Sequence, residues 1–154
     1  MSKRFLALAL GAALGGGYAA SALAQAKPEV LVEQREAAMT LQAKYFYPIV
    51  FMAQGRIPYD AAIVSRNIGY LEVLTKLAWD GFQPSTADVK SKALPAVFSD
   101  PAKFKAAGEN FQAEFAKLVA AAKSGNEAAV KTAVLDTNTK GCNGCHNDFR
   151  AKAQ

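Results

Sequence analysis

A chain of 154 residues, 51% hydrophobic and 20% charged, holds enough apolar material for one core and gives no reason to expect a second domain. Its formal net charge is +5, but the basic residues are scattered among acidic and apolar ones, where a nucleic-acid binder would more often gather them into a stripe. Its only two cysteines, Cys142 and Cys145, and its only histidine, His146, lie within five residues.

At the N-terminus Lys3 and Arg4 precede an apolar stretch that begins at Phe5 and closes on Ala22-Leu23-Ala24. That is the layout of a secretory signal peptide, with cleavage expected after Ala24. The stretch is short for a bilayer-spanning helix and is broken by Gly15, Gly16 and Gly17, so no membrane anchor is expected after cleavage. The expected organisation is therefore a leader over 1–24 and one domain over 25–154. The domain keeps 16 basic and 13 acidic residues, a net of +3, once Lys3 and Arg4 are removed. An oxidising destination would permit a disulfide between the two cysteines.

Beyond the leader the composition is rich in Ala, Lys, Glu and Leu, with Gly and Pro confined to a few places, which predicts helices. Pro28-Glu29 opens the first, with proline in the first turn and an acidic group near the positive helix end. Leu31, Ala38, Leu41, Tyr45, Ile49 and Met52 mark its inward stripe, and Pro48 inside the run should kink it. Gln54 to Pro58 breaks the pattern. Asp60 caps a second helix carrying Ile63, Ile68, Leu71, Leu74 and Leu77 inward.

From Trp79 to Ser99 the prolines and Gly81 forbid a long helix, although Leu94 to Phe98 has room for one turn. Asp100-Pro101 then starts a third helix, whose inward face is Phe104, Ala107, Phe111, Phe115, Leu118 and Val119. Ser124-Gly125 ends it. Asn126 caps a fourth, with Val130, Ala133 and Val134 inward, running through the cysteines toward Arg150. Four amphipathic helices with two short connections and one long one predict an all-α antiparallel four-helix bundle, an architecture able to house a cofactor inside.

Cys142-Asn143-Gly144-Cys145-His146 has the Cys-x-x-Cys-His spacing of covalent haem c attachment, one haem per chain. Residues three apart share a helix face, so two thiols can meet neighbouring vinyl groups while His146 offers its imidazole to the iron. A redox disulfide and a zinc site compete with this reading. The first usually sits in a βαβ setting with a strand pattern that this chain lacks, and the second would normally need four ligands where three cluster. With His146 used on one side of the iron, no second histidine remains for the other. Methionine, a weaker donor, water or nothing is left for that position.

These residues, with Lys27-Pro28-Glu29, Arg35 and Met39, Pro48-Ile49, Gly55, Pro58-Tyr59-Asp60 and Arg150, resemble the cytochrome c' family of class II c-type cytochromes over nearly the whole exported chain. The resemblance implies that Cys142 and Cys145 carry the thioethers, that His146 is the fifth ligand, and that Arg150 lies beside the imidazole. It also implies that Arg35 approaches a haem propionate, that Met39 stands over the far face without binding iron, and that Trp79 and Phe82 line the pocket. Lys92 would meet a propionate from the long connection, where the chain departs most from the family pattern.

The function implied is that of a periplasmic protein with five-coordinate, high-spin haem, binding small gases such as nitric oxide and carbon monoxide in an apolar distal pocket without hydrogen-bond donors. Electron transfer to an unidentified redox partner would be secondary, and the protein would not be an enzyme. The alternative is a low-spin electron carrier with both His146 and Met39 on the iron. The family also implies a homodimer through the first two helices, whose Tyr45, Tyr47, Phe51 and Tyr70 supply more aromatic surface than one inward stripe needs.

Overall fold

The computed structural model describes residues 26–152; the expected leader over 1–24 lies outside them. Helix α1 (Pro28–Ala53) begins with proline in its first turn and continues past Pro48. It ends where Gly55 takes φ 70°, a left-handed conformation that glycine adopts without a Cβ penalty. Gly55 N–H then donates to Met52 O and Arg56 N–H to Phe51 O, the paired bonds that satisfy the last carbonyls of a helix. In α2 (Ala61–Leu77), the Asp60 carboxylate accepts from the backbone N–H groups of Ala62 and Ile63, as its capping position predicts.

The long connection contains two 3-10 turns, Trp79–Gly81 and Pro84–Thr86, and the single helical turn α3 (Ala96–Ser99). Asp100 caps α4 (Pro101–Ser124), and Gly125 at φ 70° ends it. Asn126 caps α5 (Glu127–Asp136). The chain beyond α5 is helical, as expected, but not uniformly α: Thr137–Asn143 forms a π-helical segment before α6 (Gly144–Phe149). A π turn inserts an extra residue, rotating the side chains that follow by about 100° relative to an unbroken helix. Cys142 therefore lies in the π segment and Cys145 in α6.

Helix α1 packs against α2 and α5, and α4 packs against α5, the π segment and α2, closing a four-helix bundle. The aliphatic core fills one half of it. Ile49, Leu71, Leu118, Val130 and Val134 are fully buried there, joined by Phe46, Val50, Met52, Val64, Ile68 and Phe115. Leu41 and Leu77, expected inward, are instead 40% and 54% exposed. The true stripe of α2 runs Leu71, Thr75, Ala78, at steps of four and three, and Leu77 falls off it. Apolar identity alone misled the assignment, because small and polar residues occupy the inward positions near the cavity.

The other half of the bundle is bordered by the connection, which is held at both ends. Arg35 on α1 donates through Nη1 to Gly81 O (2.7 Å) and Thr86 Oγ1 (2.8 Å), and through Nη2 to Ser91 Oγ (2.9 Å). Further along, an antiparallel bridge joins Ala93 to Arg150, with Leu94 N–H donating to Phe149 O and Ala151 N–H to Lys92 O. Gly81 permits the approach to α1: a Cβ there would stand 2.7 Å from both Arg35 Cβ and Leu31 O.

Candidate functional site

Where the aliphatic core stops, the bundle encloses a cavity of about 370 Å³, within the range of small-molecule pockets. All nine residues singled out in the sequence, Arg35, Met39, Trp79, Phe82, Lys92, Cys142, Cys145, His146 and Arg150, line it. They come from α1, the long connection and the chain's last helical stretch, so the fold gathers residues that the sequence separates by more than a hundred positions.

The two cysteines are half-buried free thiols. Burial pushes the Cys142 thiol up to about 11, and it raises Cys145 too, with the Asp148 charge adding to the effect. His146 is lowered to about 4, first by burial and then by the nearby Arg150 cation. Its imidazole is therefore neutral near pH 7, the form in which a ring nitrogen is free to donate to a metal. Arg150 itself is exposed, with its backbone held by the bridge to Ala93.

Met39, half-buried on α1, lines the same cavity. The aromatic wall is continuous: Trp79 lies within 6.0–6.3 Å of the rings of Phe82, Phe104 and Phe111, and Phe104 makes an edge contact with Phe149 at 5.2 Å. Lys92 is exposed at the rim, where its backbone N–H approaches Glu36 Oε1 at 3.4 Å.

Arg35 is 2% exposed, and its three hydrogen bonds all go to neutral acceptors. Among the described residues no carboxylate lies within ion-pair distance of it. Burial lowers its pKa, while the charge of Glu36 opposes that. A buried cation without an anion is costly, so a guanidinium lining a cavity in this state suits a ligand that brings its own negative charge. Haem brings propionates. Its vinyl groups would need two thiols on the wall, its iron a neutral imidazole and its ring an aromatic surround, and the cavity has each of these.

The competing readings fit less well. Among the described residues no three Cys, His, Asp or Glu side chains are grouped to hold a metal ion by themselves, whereas a structural zinc site normally has four ligands. The βαβ surroundings usual for a redox disulfide are also missing, because the described chain has no strand beyond one isolated bridge.

Several lining residues were not recognised as site residues from the sequence. The sequence pattern places Phe104 and Phe111 on the core face of the third helix; in the structure they line the cavity at its aromatic end. Phe149 also lines the cavity, three residues after His146 on the same helix face. Thr75 lines it too, and a lone hydroxyl inside a leucine-rich stripe carries little signal in the sequence. Its spacing, four after Leu71 and four before Trp79, was the available clue. Its presence corrects the expectation of a far wall without hydrogen-bond donors.

The cytochrome c' family model matches residues 30–150. Cytochrome c' of Rubrivivax gelatinosus is 42% identical over 127 residues, covering 82% of this chain and 98% of the relative, and its crystal structure superposes with a TM-score of 0.78. The nitric oxide complex of a cytochrome c prime variant from Alcaligenes xylosoxidans is 36% identical, with a TM-score of 0.76 over 84% of this chain and 99% of that one. A carbon monoxide-bound variant from the same organism is 37% identical, with a TM-score of 0.75 over 82% and 98%. With the cavity, its thiol pair and its buried unpaired guanidinium, these matches establish that the chain belongs to the cytochrome c' family, whose covalently bound cofactor is haem c.

Proposed function

We propose that this is a periplasmic gas-binding cytochrome with five-coordinate, high-spin iron. Cys142 and Cys145 hold the porphyrin by thioether bonds, and the neutral His146 imidazole donates to the iron from the α6 side. Arg35 neutralises a propionate with the N–H groups not already given to the connection, and Lys92 approaches the same edge from the rim. Arg150 lies beside His146 and helps keep its ring unprotonated. Bound haem supplies an iron that takes a diatomic molecule as a ligand.

The observation that carries this reading is the far wall. Met39 faces the cavity among aromatic and aliphatic neighbours, no imidazole is available there, and the carboxylate that lines the cavity, Glu36, is exposed and accepts from the Lys92 backbone N–H at 3.4 Å. Such a surround favours small neutral diatomics, because an anion would be buried without a partner. The nitric oxide and carbon monoxide complexes of the Alcaligenes proteins support the same ligand class for this chain. Peroxide cleavage would benefit from a distal general base, and the α1 stretch Ala37 to Leu41 offers none, although the exposed Glu36 precedes it, so we assign binding and electron transfer to an unidentified redox partner, not catalysis.

A thioether on the cavity wall also motivates a second reading, a low-spin electron carrier with His146 and Met39 both on the iron. One ferrous absorption spectrum, recorded with and without carbon monoxide, separates the two. A broad high-spin spectrum that carbon monoxide converts to a low-spin one supports gas binding. Sharp low-spin bands unmoved by carbon monoxide would establish the carrier instead.

We also assign a homodimer to the α1–α2 face. Leu41, Tyr47, Tyr70, Val73 and Leu77 are all at least 40% exposed there, with Tyr45 and Tyr70 in ring contact at 4.9 Å. Apolar and aromatic groups of this kind are what an interface core collects. Sedimentation at a constant monomer mass across dilution would refute the dimer. The expected export signal is testable by N-terminal sequencing of the protein secreted to the periplasm, which should begin at Gln25.

A further inference from the structure

The chain has six threonines, and five have their hydroxyls bonded. Thr40, Thr132 and Thr139 turn back to the carbonyls of Glu36, Ala128 and Leu135, the usual bond for a helical threonine. Thr86 bonds to Gln83 O, and Thr137 to Glu114 O. Thr75 is the exception. It is 2% exposed and lines the cavity, and its Oγ1 has no partner among the described residues.

Buried hydroxyls are rarely left unbonded, so this one points to a partner that the polypeptide does not supply. The backbone around it is held firmly. Thr75 O, in the last turn of α2, accepts from Trp79 Nε1 (2.8 Å) and from Gln112 Nε2 of α4 (2.9 Å). The carbonyl is satisfied from two directions, and only the hydroxyl stays open.

Its place in the bundle identifies the partner. Helix α2 packs against α1 and α4, whereas the π segment and α6, which carry Cys142 to His146, pack mainly against α4 and α5. Gln42, almost one turn after Met39 on α1, donates to Leu74 O (3.0 Å), the residue before Thr75. Met39 and Thr75 thus belong to one wall, and the attachment motif approaches the cavity from another. The other polar side chains of that wall are already engaged: Gln42 donates to Leu74 O, Thr40 to Glu36 O, and Glu36 Oε1 accepts from the Lys92 backbone N–H.

Building on the gas-binding reading above, we propose that the Thr75 hydroxyl donates a hydrogen bond to a diatomic ligand on the iron and so sets how long each such ligand is held. A donor at this point stabilises most the ligands whose outer atom gains negative charge on binding. It makes Thr75 a specificity-determining residue on a wall whose other polar side chains are bonded elsewhere.

The test uses the holoprotein, its Thr75→Val and Thr75→Ser variants, and carbon monoxide as the probe. A hydrogen bond to the outer oxygen lowers the C–O stretching frequency. Infrared spectra should therefore place the Thr75→Val band above that of the unmodified protein, with Thr75→Ser near the original position. Carbon monoxide should leave Thr75→Val about three- to tenfold faster, the loss of one ordinary hydrogen bond. In the unmodified protein the band should shift between H₂O and D₂O, a readout that needs no variant to fold. Carbon monoxide uptake with a band unmoved by the valine substitution or by D₂O would overturn the role of Thr75 and leave gas binding standing. No uptake at all would overturn both.

Discussion

Replacing Arg35 by leucine tests whether its buried charge is kept for the cofactor. The substitution removes three hydrogen bonds of 2.7, 2.8 and 2.9 Å from a charged donor, each worth about 1.5–3 kcal/mol. Thr86 Oγ1 retains its bond to Gln83 O, so the acceptor left in greatest need is Gly81 O. Against this loss stands the relief of a desolvated cation, itself several kcal/mol, and in a haem-free chain the two terms should nearly cancel. With haem attached they should not, because a propionate then loses its counter-charge, and breaking a buried pair costs about 3–5 kcal/mol. Urea titrations of haem-loaded Arg35→Leu should show a loss of about 3 kcal/mol, corresponding to a fall of roughly 10 °C in Tm for a domain of this size. The reduction potential should fall as well, since removing a positive charge favours ferric iron. A haem-loaded variant within about 0.5 kcal/mol of the parent, with an unmoved potential, would refute the pairing.

Other outcomes follow from the same geometry. Met39→Ala should leave the ferrous spectrum nearly unchanged, whereas conversion from low-spin to high-spin bands would identify Met39 as a ligand. Gly81→Ala must accommodate contacts of 2.7 Å with Arg35 Cβ and Leu31 O, and chemical denaturation should show a loss of about 1–3 kcal/mol. In the haem-free chain, alkylation followed by mass spectrometry should find Cys142 slow at neutral pH and accelerating with pH toward about 11. The same raised thiol gives a sign for stability. The folded state favours the protonated sulfur, so the contribution of Cys142 is full below pH 9 and is lost as pH rises from 9.0 through about 11.

Much of the site was legible because its chemistry is local in sequence. Cys142, Cys145 and His146 declare their use by spacing, and the helix starts at Asp60, Asp100 and Asn126 by their capping side chains. The family resemblance brought in Arg35, Met39, Trp79 and Phe82, which no spacing rule connects to the motif. The rest was hidden where inward positions are not apolar. Arg35 and Thr75 occupy stripe positions that a hydrophobicity pattern assigns to solvent, which displaced the reading toward Leu41 and Leu77. The π segment was equally unreadable: it depends on how α4 receives Thr137 and Gly141, with Thr137 Oγ1 donating to Glu114 O and Gly141 set against Phe111.

The division of the bundle into an aliphatic half and an aromatic half implies an order of assembly. Ile49, Leu71, Leu118 and Val134 come from all four long helical stretches and meet without needing the cofactor. Cooperative structure can therefore start there, while the cavity end opens and closes on a smaller local free energy. If the chain is exported as proposed, Cys142 to His146 emerge after Ile49, Leu71, Leu118 and Val134, so the half that needs no cofactor is available first. The porphyrin would then be delivered into the loosest part of an already registered bundle, and its attachment would draw in Arg35, the connection and the chain end together.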